Sequence, residues 1–152
     1  MDSIKIGLLG FGTVGRGTFD VLARNQQEIR RRAGRGIEIA AVAVRNVARV
    51  RPLLPAHVTV TDDPAAVVAR DDVDIVVELI GGEEPARSLV LGALRRGKHV
   101  VTANKALLAK HGNEIFAAAH AKGVMVAFEA AVAGGIPIIK AIREGLSANR
   151  IE

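Results

Sequence analysis

Cysteine, tryptophan and tyrosine are absent from the 152 residues, and phenylalanine occurs only four times. Without cysteine there is no disulfide, no thiolate metal site and no cysteine nucleophile. Few aromatics mean no ring platforms on which nucleic-acid bases could stack, so the core must be aliphatic. Long apolar runs are missing too. The longest uncharged one, Ala130 to Ile139, falls far short of the roughly 20 residues a membrane-crossing helix needs. The N-terminus combines one lysine with an apolar run too short for a secretion signal. A soluble, cytoplasmic protein is expected.

What remains is the composition of a globular protein, 49% hydrophobic and 24% charged, of a length that suits one domain over residues 1–152. The net charge of +5 concentrates in Arg24, Arg30, Arg31, Arg32 and Arg35. Cations there favour the negative end of a helix dipole, and an excess of positive charge also suits an anionic ligand. The cluster carries no aromatics or companion motif, so neither a nucleic-acid nor a membrane partner is expected.

Ile4 to Val21 organises the chain. A short apolar run leads into Gly10-Phe11-Gly12-Thr13-Val14-Gly15 and then a helical pattern, which reads as strand, tight turn and helix. Gly10 permits the turn, Gly12 lets the backbone approach a pyrophosphate, and Gly15 lets the helix pack closely on the strand. The free N–H groups at the helix start would bind a diphosphate without any basic side chain. The glycine spacing alone is a weak signal, because such turns also serve packing. Its position directly after Ile6-Gly7-Leu8-Leu9 favours a dinucleotide.

A long first helix is expected to run to about Ala33, with a loop at Gly34 and Gly36. Ile37 to Val44 reads as a buried parallel strand, and Arg45 sits at its carboxyl end. An acidic residue there would select NAD, whereas an arginine can pair with the 2′-phosphate of NADP; Arg45 therefore points to NADP as the preferred cofactor, with NAD as the other possibility. His57 to Thr61 reads as an edge strand, and Asp62-Asp63-Pro64 as the cap and first turn of a helix. Val73 to Ile80 gives a β-branched strand ending in Gly81-Gly82, where bare backbone would let a ring lie against Gly81. A helix from about Pro85 to Arg96 follows, then a fifth strand ending at Thr102. Asn104 is placed to cap the next helix, which puts Lys105 at the ligand edge. A sixth strand, Val124 to Phe128, and a final helix to about Leu146 complete the alternation. The pattern predicts an α/β, Rossmann-type doubly wound, mainly parallel sheet with helices on both faces. The four histidines, 57, 99, 111 and 120, lack metal-ligand spacing.

Three segments together resemble the homoserine dehydrogenase family: Ile6 to Gly15, Val101-Thr102-Ala103-Asn104-Lys105-Ala106-Leu107-Leu108-Ala109, and Phe128-Glu129 through Gly134-Gly135-Ile136-Pro137 to Lys140. The resemblance spans essentially all 152 residues and rests most on the last two motifs. It implies NAD(P)-dependent hydride transfer between L-homoserine and L-aspartate 4-semialdehyde, in threonine and methionine biosynthesis. It also implies a further catalytic and dimerisation domain, towards which residues 147–152 would lead, a homodimer or higher assembly for the full-length protein, and doubtful activity for this part alone. The implied cofactor contacts are the backbone of Phe11, Thr13 and Val14 within the Gly10, Gly12 and Gly15 cradle, together with Arg45, Gly81, Thr102 and Lys105.

Lys105 is the implied catalytic group. A free lysine titrates near pH ~10.4, so proton transfer near neutrality would need burial or a neighbouring cation; otherwise it stays charged and binds oxygen, or is structural. The last motif implies a sodium site in which the Glu129 carboxylate and the carbonyls of Val132, Gly134 and Ile136 wrap the ion. Oxygen ligands on Gly-rich backbone suit a hard cation. Alternatively, Glu129 caps the last helix or pairs with a nearby cation. An acylating semialdehyde dehydrogenase shares such a fold but needs a thiolate, which this chain lacks. A non-catalytic dinucleotide sensor is the rival from another class, and the polar groups at Asn104, Lys105 and Glu129 argue against it.

Overall fold

A computed structural model describes residues 3–145. Six parallel strands form one sheet in the order β3-β2-β1-β4-β5-β6. Along the chain these are β1 (Ile4–Leu9), β2 (Ile37–Ala43), β3 (Thr59–Thr61), β4 (Ile75–Glu78), β5 (His99–Thr102) and β6 (Val126–Ala127). The helices between them are α1 (Thr13–Arg24), α2 (Gln26–Ala33), α3 (Val47–Val50), α4 (Pro64–Ala69), α5 (Ala86–Arg95), α6 (Lys105–Lys122) and α7 (Ile138–Lys140). This is the expected doubly wound α/β architecture, parallel throughout. Strand order runs outward from β1 in both directions, so a crevice opens at the carboxyl ends of β1 and β4, where such sheets bind ligands.

Alternation along the strands assigns side chains to two aliphatic cores. Ile6 and Leu8 of β1 join Ile39, Val42, Val50, Leu54, Val58 and Val77 on one face, with Phe11, Phe19 and Leu22 packed against them. Leu9 faces the other way, towards Val67, Val76, Leu89, Val90, Leu94, Leu107 and Ile115 under α4, α5 and α6. Fully burying each such side chain stabilises the fold by about 1.5–3 kcal/mol. The α5 and α6 pair is further tied by a two-pronged Arg87 to Glu114 contact, at 2.9 and 2.7 Å.

Four elements differ most from the sequence reading. The first long helix is two, because Asn25 leaves helical geometry at φ −103°, ψ 20°. The Gln26 side chain there donates to the carbonyls of Leu22 and Ile37, anchoring the second helix to the start of β2. The sixth strand begins at Val126 rather than Val124, because the Val124 amide closes the end of α6 on Ala119 O, 3.0 Å, behind the left-handed Gly123. The fourth strand is similarly trimmed to Ile75–Glu78. The last helix is three α-helical residues followed by a π turn over Ala141–Gly145. Its expected end at Leu146, and residues 147–152, lie outside the described residues. Among the described residues no helix is long and apolar enough to cross a membrane.

Candidate functional site: a groove across the carboxyl edge of the sheet

A groove of about 880 Å³ runs along the carboxyl ends of β1, β2 and β4, lined by Gly10 to Thr13, Arg45, Leu79 and Ile80 among others. Its floor is the glycine turn. Gly10 holds φ +100°, a conformation L side chains rarely adopt, and its amide donates to Ala43 O at 3.0 Å. At Gly15 a methyl group would lie 2.3 Å from the Gly10 carbonyl oxygen, so only glycine lets α1 start this close to the turn. A Cβ at Gly12 would meet nothing within 4 Å. Two glycines therefore shape the cradle and the third keeps its mouth bare, the division of labour expected from the motif. The α1 start carries no acidic residue in its first turn and no side-chain cap, which leaves its amides directed at the groove. Thr13 lines the groove, whereas Val14 is largely exposed.

Arg45 lies at the end of β2, as the sequence suggested, and two further arginines line the same groove: Arg16 on α1 and Arg49 on α3. Asn46 caps α3 by accepting the Arg49 amide at 3.0 Å, which turns that helix into the groove wall. Among the described residues the Arg45 and Arg49 side chains have no hydrogen-bond or ion-pair partner; Arg16 faces Asp20 at 3.9 Å. Arg51, by contrast, is spent on the carbonyls of Leu54, Pro55 and Val58 and holds its own loop. Sequence reasoning missed Arg16 and Arg49. Their signal was helical position beside the two strand ends.

On the other side of the crevice the decisive residue is Glu78, fully buried at the end of β4. Its Oε1 accepts the amides of Ile80 and Gly81 at 2.9 and 3.1 Å, and its Oε2 accepts the Thr102 hydroxyl at 2.6 Å. Thr102 Oγ1 in turn accepts the Asn104 amide at 3.0 Å. Asn104 caps α6 by accepting Leu107 N–H at 3.1 Å, and its Nδ2 donates to Gly82 O at 2.6 Å. Thr102 is thus buried with its hydroxyl committed on both sides, and it reaches the groove only through the residues it braces. Gly81 is exposed at φ +76°. Lys105, next to Asn104, opens α6 with its side chain exposed. Glu83 lies just beyond; the Lys110 ammonium at 2.6 Å and the His111 ring at 2.7 Å hold its carboxyl down to about 2.

The Glu129 loop has the oxygen chemistry a hard monovalent cation needs, and Gly134 takes φ +62° within it. Two of its four groups are already engaged. Glu129 Oε1 accepts the Ile139 amide at 2.9 Å, and its Oε2 accepts Lys140 N–H at 3.2 Å. The Ile136 carbonyl accepts Ile138 N–H at 2.8 Å. Val132 and Gly134 are exposed. In this structure the carboxylate does the capping work. Among the described residues no group of three or more His, Cys, Asp or Glu side chains is gathered to hold a metal.

A second groove, of about 620 Å³, lies at the opposite edge of the sheet around Lys98. Lys98 Nζ is already bonded to the carbonyls of Arg70 and Val73, at 2.5 and 2.7 Å, and burial pushes its pKa down. It is a structural lysine.

Residues 10–129 match the family model described as "Homoserine dehydrogenase, NAD binding domain". The chain is 62% identical over 152 residues to homoserine dehydrogenase of Pseudomonas aeruginosa, covering 99% of this chain and 34% of that relative. It is 56% identical to that of Neisseria gonorrhoeae, over 100% of this chain and 35% of the relative. The crystal structure of a homoserine dehydrogenase from Thiobacillus denitrificans superposes with a TM-score of 0.92 at 64% identity, covering 99% of this chain and 35% of that one. A hyperthermophilic archaeal homoserine dehydrogenase in complex with NADPH shares the fold, at TM-score 0.80 and 23% identity over 96% of this chain and 50% of that one. The chain spans about a third of the length of the curated relatives it matches.

Proposed function

The chain belongs to the homoserine dehydrogenase family as its NAD-binding domain, and we propose on that basis that it binds NADP in preference to NAD, for a full-length enzyme that interconverts L-homoserine and L-aspartate 4-semialdehyde. The reading places residues 1–152 as one cofactor domain. The rest of a full-length protein would supply the substrate's acidic ligands and the homodimer contact. The pathway is that of threonine and methionine biosynthesis.

The observation that carries the preference is the groove itself: a glycine cradle with free helix amides beside three arginines, of which Arg45 and Arg49 have no side-chain partner among the described residues. Backbone amides of Phe11, Thr13 and Val14 suit a diphosphate, which needs no counter-charge beyond a helix start. Arg45 ends β2, where a 2′-phosphate would fall, and a guanidinium fork binds phosphate in two-pronged fashion. Arg49 doubles that charge. Among the described residues no acidic side chain is paired with Arg45, although Asp62 lines the same groove.

A bound nicotinamide would supply the hydride acceptor or donor. This chain's own groups do the rest. The turn after β4 reaches the groove at Ile80, and the exposed Gly81 and Gly82 beside it offer bare backbone for a wall. Lys105 stands at the same edge on a capped helix start. Its side chain can bind a substrate oxygen or pass a proton there. A sodium ion at Glu129, Val132, Gly134 and Ile136 would share the Glu129 carboxylate with the α7 amides, so we assign sodium a supporting role at the end of the domain.

Titration of the chain with NADPH and NADH tests this reading, followed by homoserine-dependent reduction of NADP in the full-length protein. Tighter NADPH binding, with activity that falls when Lys105→Ala is introduced, is the expected result. Equal affinity for both cofactors would remove the preference. Turnover unaffected by the Lys105 change would remove that residue from the mechanism.

A further inference from the structure

We infer that the buried chain of Glu78, Thr102 and Asn104 is a positioning device that locks the cofactor-ring wall and the Lys105 end of α6 into one unit, with Asn104 as its positioning residue. The inference rests on the dinucleotide reading above. Three side chains meet here from three different elements. Glu78 holds the turn after β4 by two of its amides, and Asn104 holds the same turn by the Gly82 carbonyl. Gly81 and Gly82 both sit at positive φ, 76° and 74°, so the segment has no side chains of its own with which to fix its path. The same Asn104 side chain caps α6 through Leu107 N–H. One residue therefore sets the turn and the Cα of its neighbour Lys105 together.

Holding β4 to β5 does not require this. The ladder already pairs Glu78 with Thr102, and Ala103 N–H adds a bond to Glu78 O at 3.4 Å. The surrounding core is aliphatic, and a buried polar cluster is no better for stability than well-packed apolar residues. What the cluster gains is location. Every bond that leaves it ends on the turn facing the groove or on the start of α6. Meanwhile the adenosine side, at Gly10 to Gly15 and Arg45, receives none of these bonds. The two halves still meet along the β1–β4 seam, where Leu79 N–H donates to Leu9 O at 2.9 Å and Gly10 packs against the Leu79 carbonyl. The side-chain cluster, however, bonds to only one of them, so a ligand that fills only the other half can report on the difference.

The test compares NADPH with adenosine 2′,5′-bisphosphate, which carries the adenosine and 2′-phosphate groups but no nicotinamide. Asn104→Ser keeps an oxygen for the helix cap and is too short to reach Gly82 O. It should weaken NADPH about tenfold, the effect of one lost hydrogen bond of ordinary strength, while the bisphosphate changes less than twofold. Thr102→Ser keeps the bridging hydroxyl and should bind both ligands as the unchanged chain does, whereas Thr102→Val should repeat the split. Equal losses for both ligands, or unchanged NADPH affinity in Asn104→Ser, would overturn the inference. If Asn104→Ser does not fold, the Thr102 pair decides: Ser and Val variants with the same NADPH affinity overturn it. Failure of the unchanged chain to bind either ligand would instead strike the dinucleotide reading itself, and the inference with it.

Discussion

At the end of β1 the groove is walled by backbone: a glycine turn, an uncapped helix start and arginines whose side chains reach into solvent. At the ends of β4 and β5 the wall is built from buried side chains, with Glu78, Thr102 and Asn104 bonded to one another and to the turn above them. The first half has conformation fixed by sterics and charge left free to meet an anion. The second has its polar capacity spent in advance on geometry. A diphosphate tolerates flexible cations, because attraction falls off slowly with distance. A ring that must present one atom does not tolerate a loose wall.

The sharpest way to break this contrast is at the steric half. Gly15→Ala forces a methyl into the space held by the Gly10 carbonyl oxygen, 2.3 Å away, and should cost about 3 kcal/mol by overpacking, with loss of dinucleotide binding. Urea denaturation read beside an NADPH titration measures both. Gly12→Ala, which meets nothing within 4 Å, should keep the stability and lose only binding. If the two variants behave alike, the division of labour in the cradle is wrong.

Thr102→Val probes the other half. It removes the donor to Glu78 and the acceptor for Asn104 N–H, leaving a buried carboxylate short of a partner, and should cost about 2 kcal/mol. A denaturation midpoint equal to that of the unchanged chain would show that the network contributes no stability. Arg45→Ala comes next: affinity for NADPH should fall about tenfold, as for one lost charge-assisted contact, with NADH little changed. Equal losses would move the 2′-phosphate away from Arg45.

The smallest effect concerns the clamp outside the network. Lys110 and His111 hold the Glu83 carboxyl down to about 2 from 4.5. A carboxyl depressed in the folded state stabilises it above the unfolded pKa, and that contribution is lost as pH falls from about 4.5 towards 2. Glu83→Gln should flatten the stability profile in that window, lower it by a constant amount above, and meet the unchanged chain below. Exposed pairs are screened, so the difference should shrink in 0.5–1 M salt, on the order of ten times or more the usual ionic strength of a dilute buffer. A profile that keeps its slope in the variant would assign the acid lability to other carboxylates.

The backbone half was legible in the sequence because glycine leaves a positional signature: the spacing, set between a strand and a helix, gave the turn at Gly10, where φ is +100°, and the close packing at Gly15. Caps were legible for the same reason, as with Asp63 for α4 and Asn104 for α6. The buried half was not. Glu78 reads as one more residue of an apolar strand, and nothing local announces that its partners arrive from residues 80, 81 and 102. Arg49 was hidden in a similar way, since a four-residue helix gives too little periodicity to show which wall it faces. The break at Asn25 escaped because the bond that accompanies it, from Gln26 to Ile37, joins residues on either side of a loop. Glu129 was read both as a sodium ligand and as a cap; the amides of Ile139 and Lys140 supply the capping contacts.

The central place of β1 bears on how the chain reaches this state. Ile6 pairs on one side with Ile39 and on the other with Ile75. During vectorial synthesis the cradle strand therefore emerges before both of its neighbours. It can take its first flank early, but its second edge stays open until β4 has been made. Long-range parallel pairing of this kind is slow, and an apolar strand with an unsatisfied edge invites wrong partners meanwhile. The cofactor cradle is thus not complete until the fourth of the six strands has been made. A nascent chain arrested before residue 75 should hold its glycine turn without a formed groove.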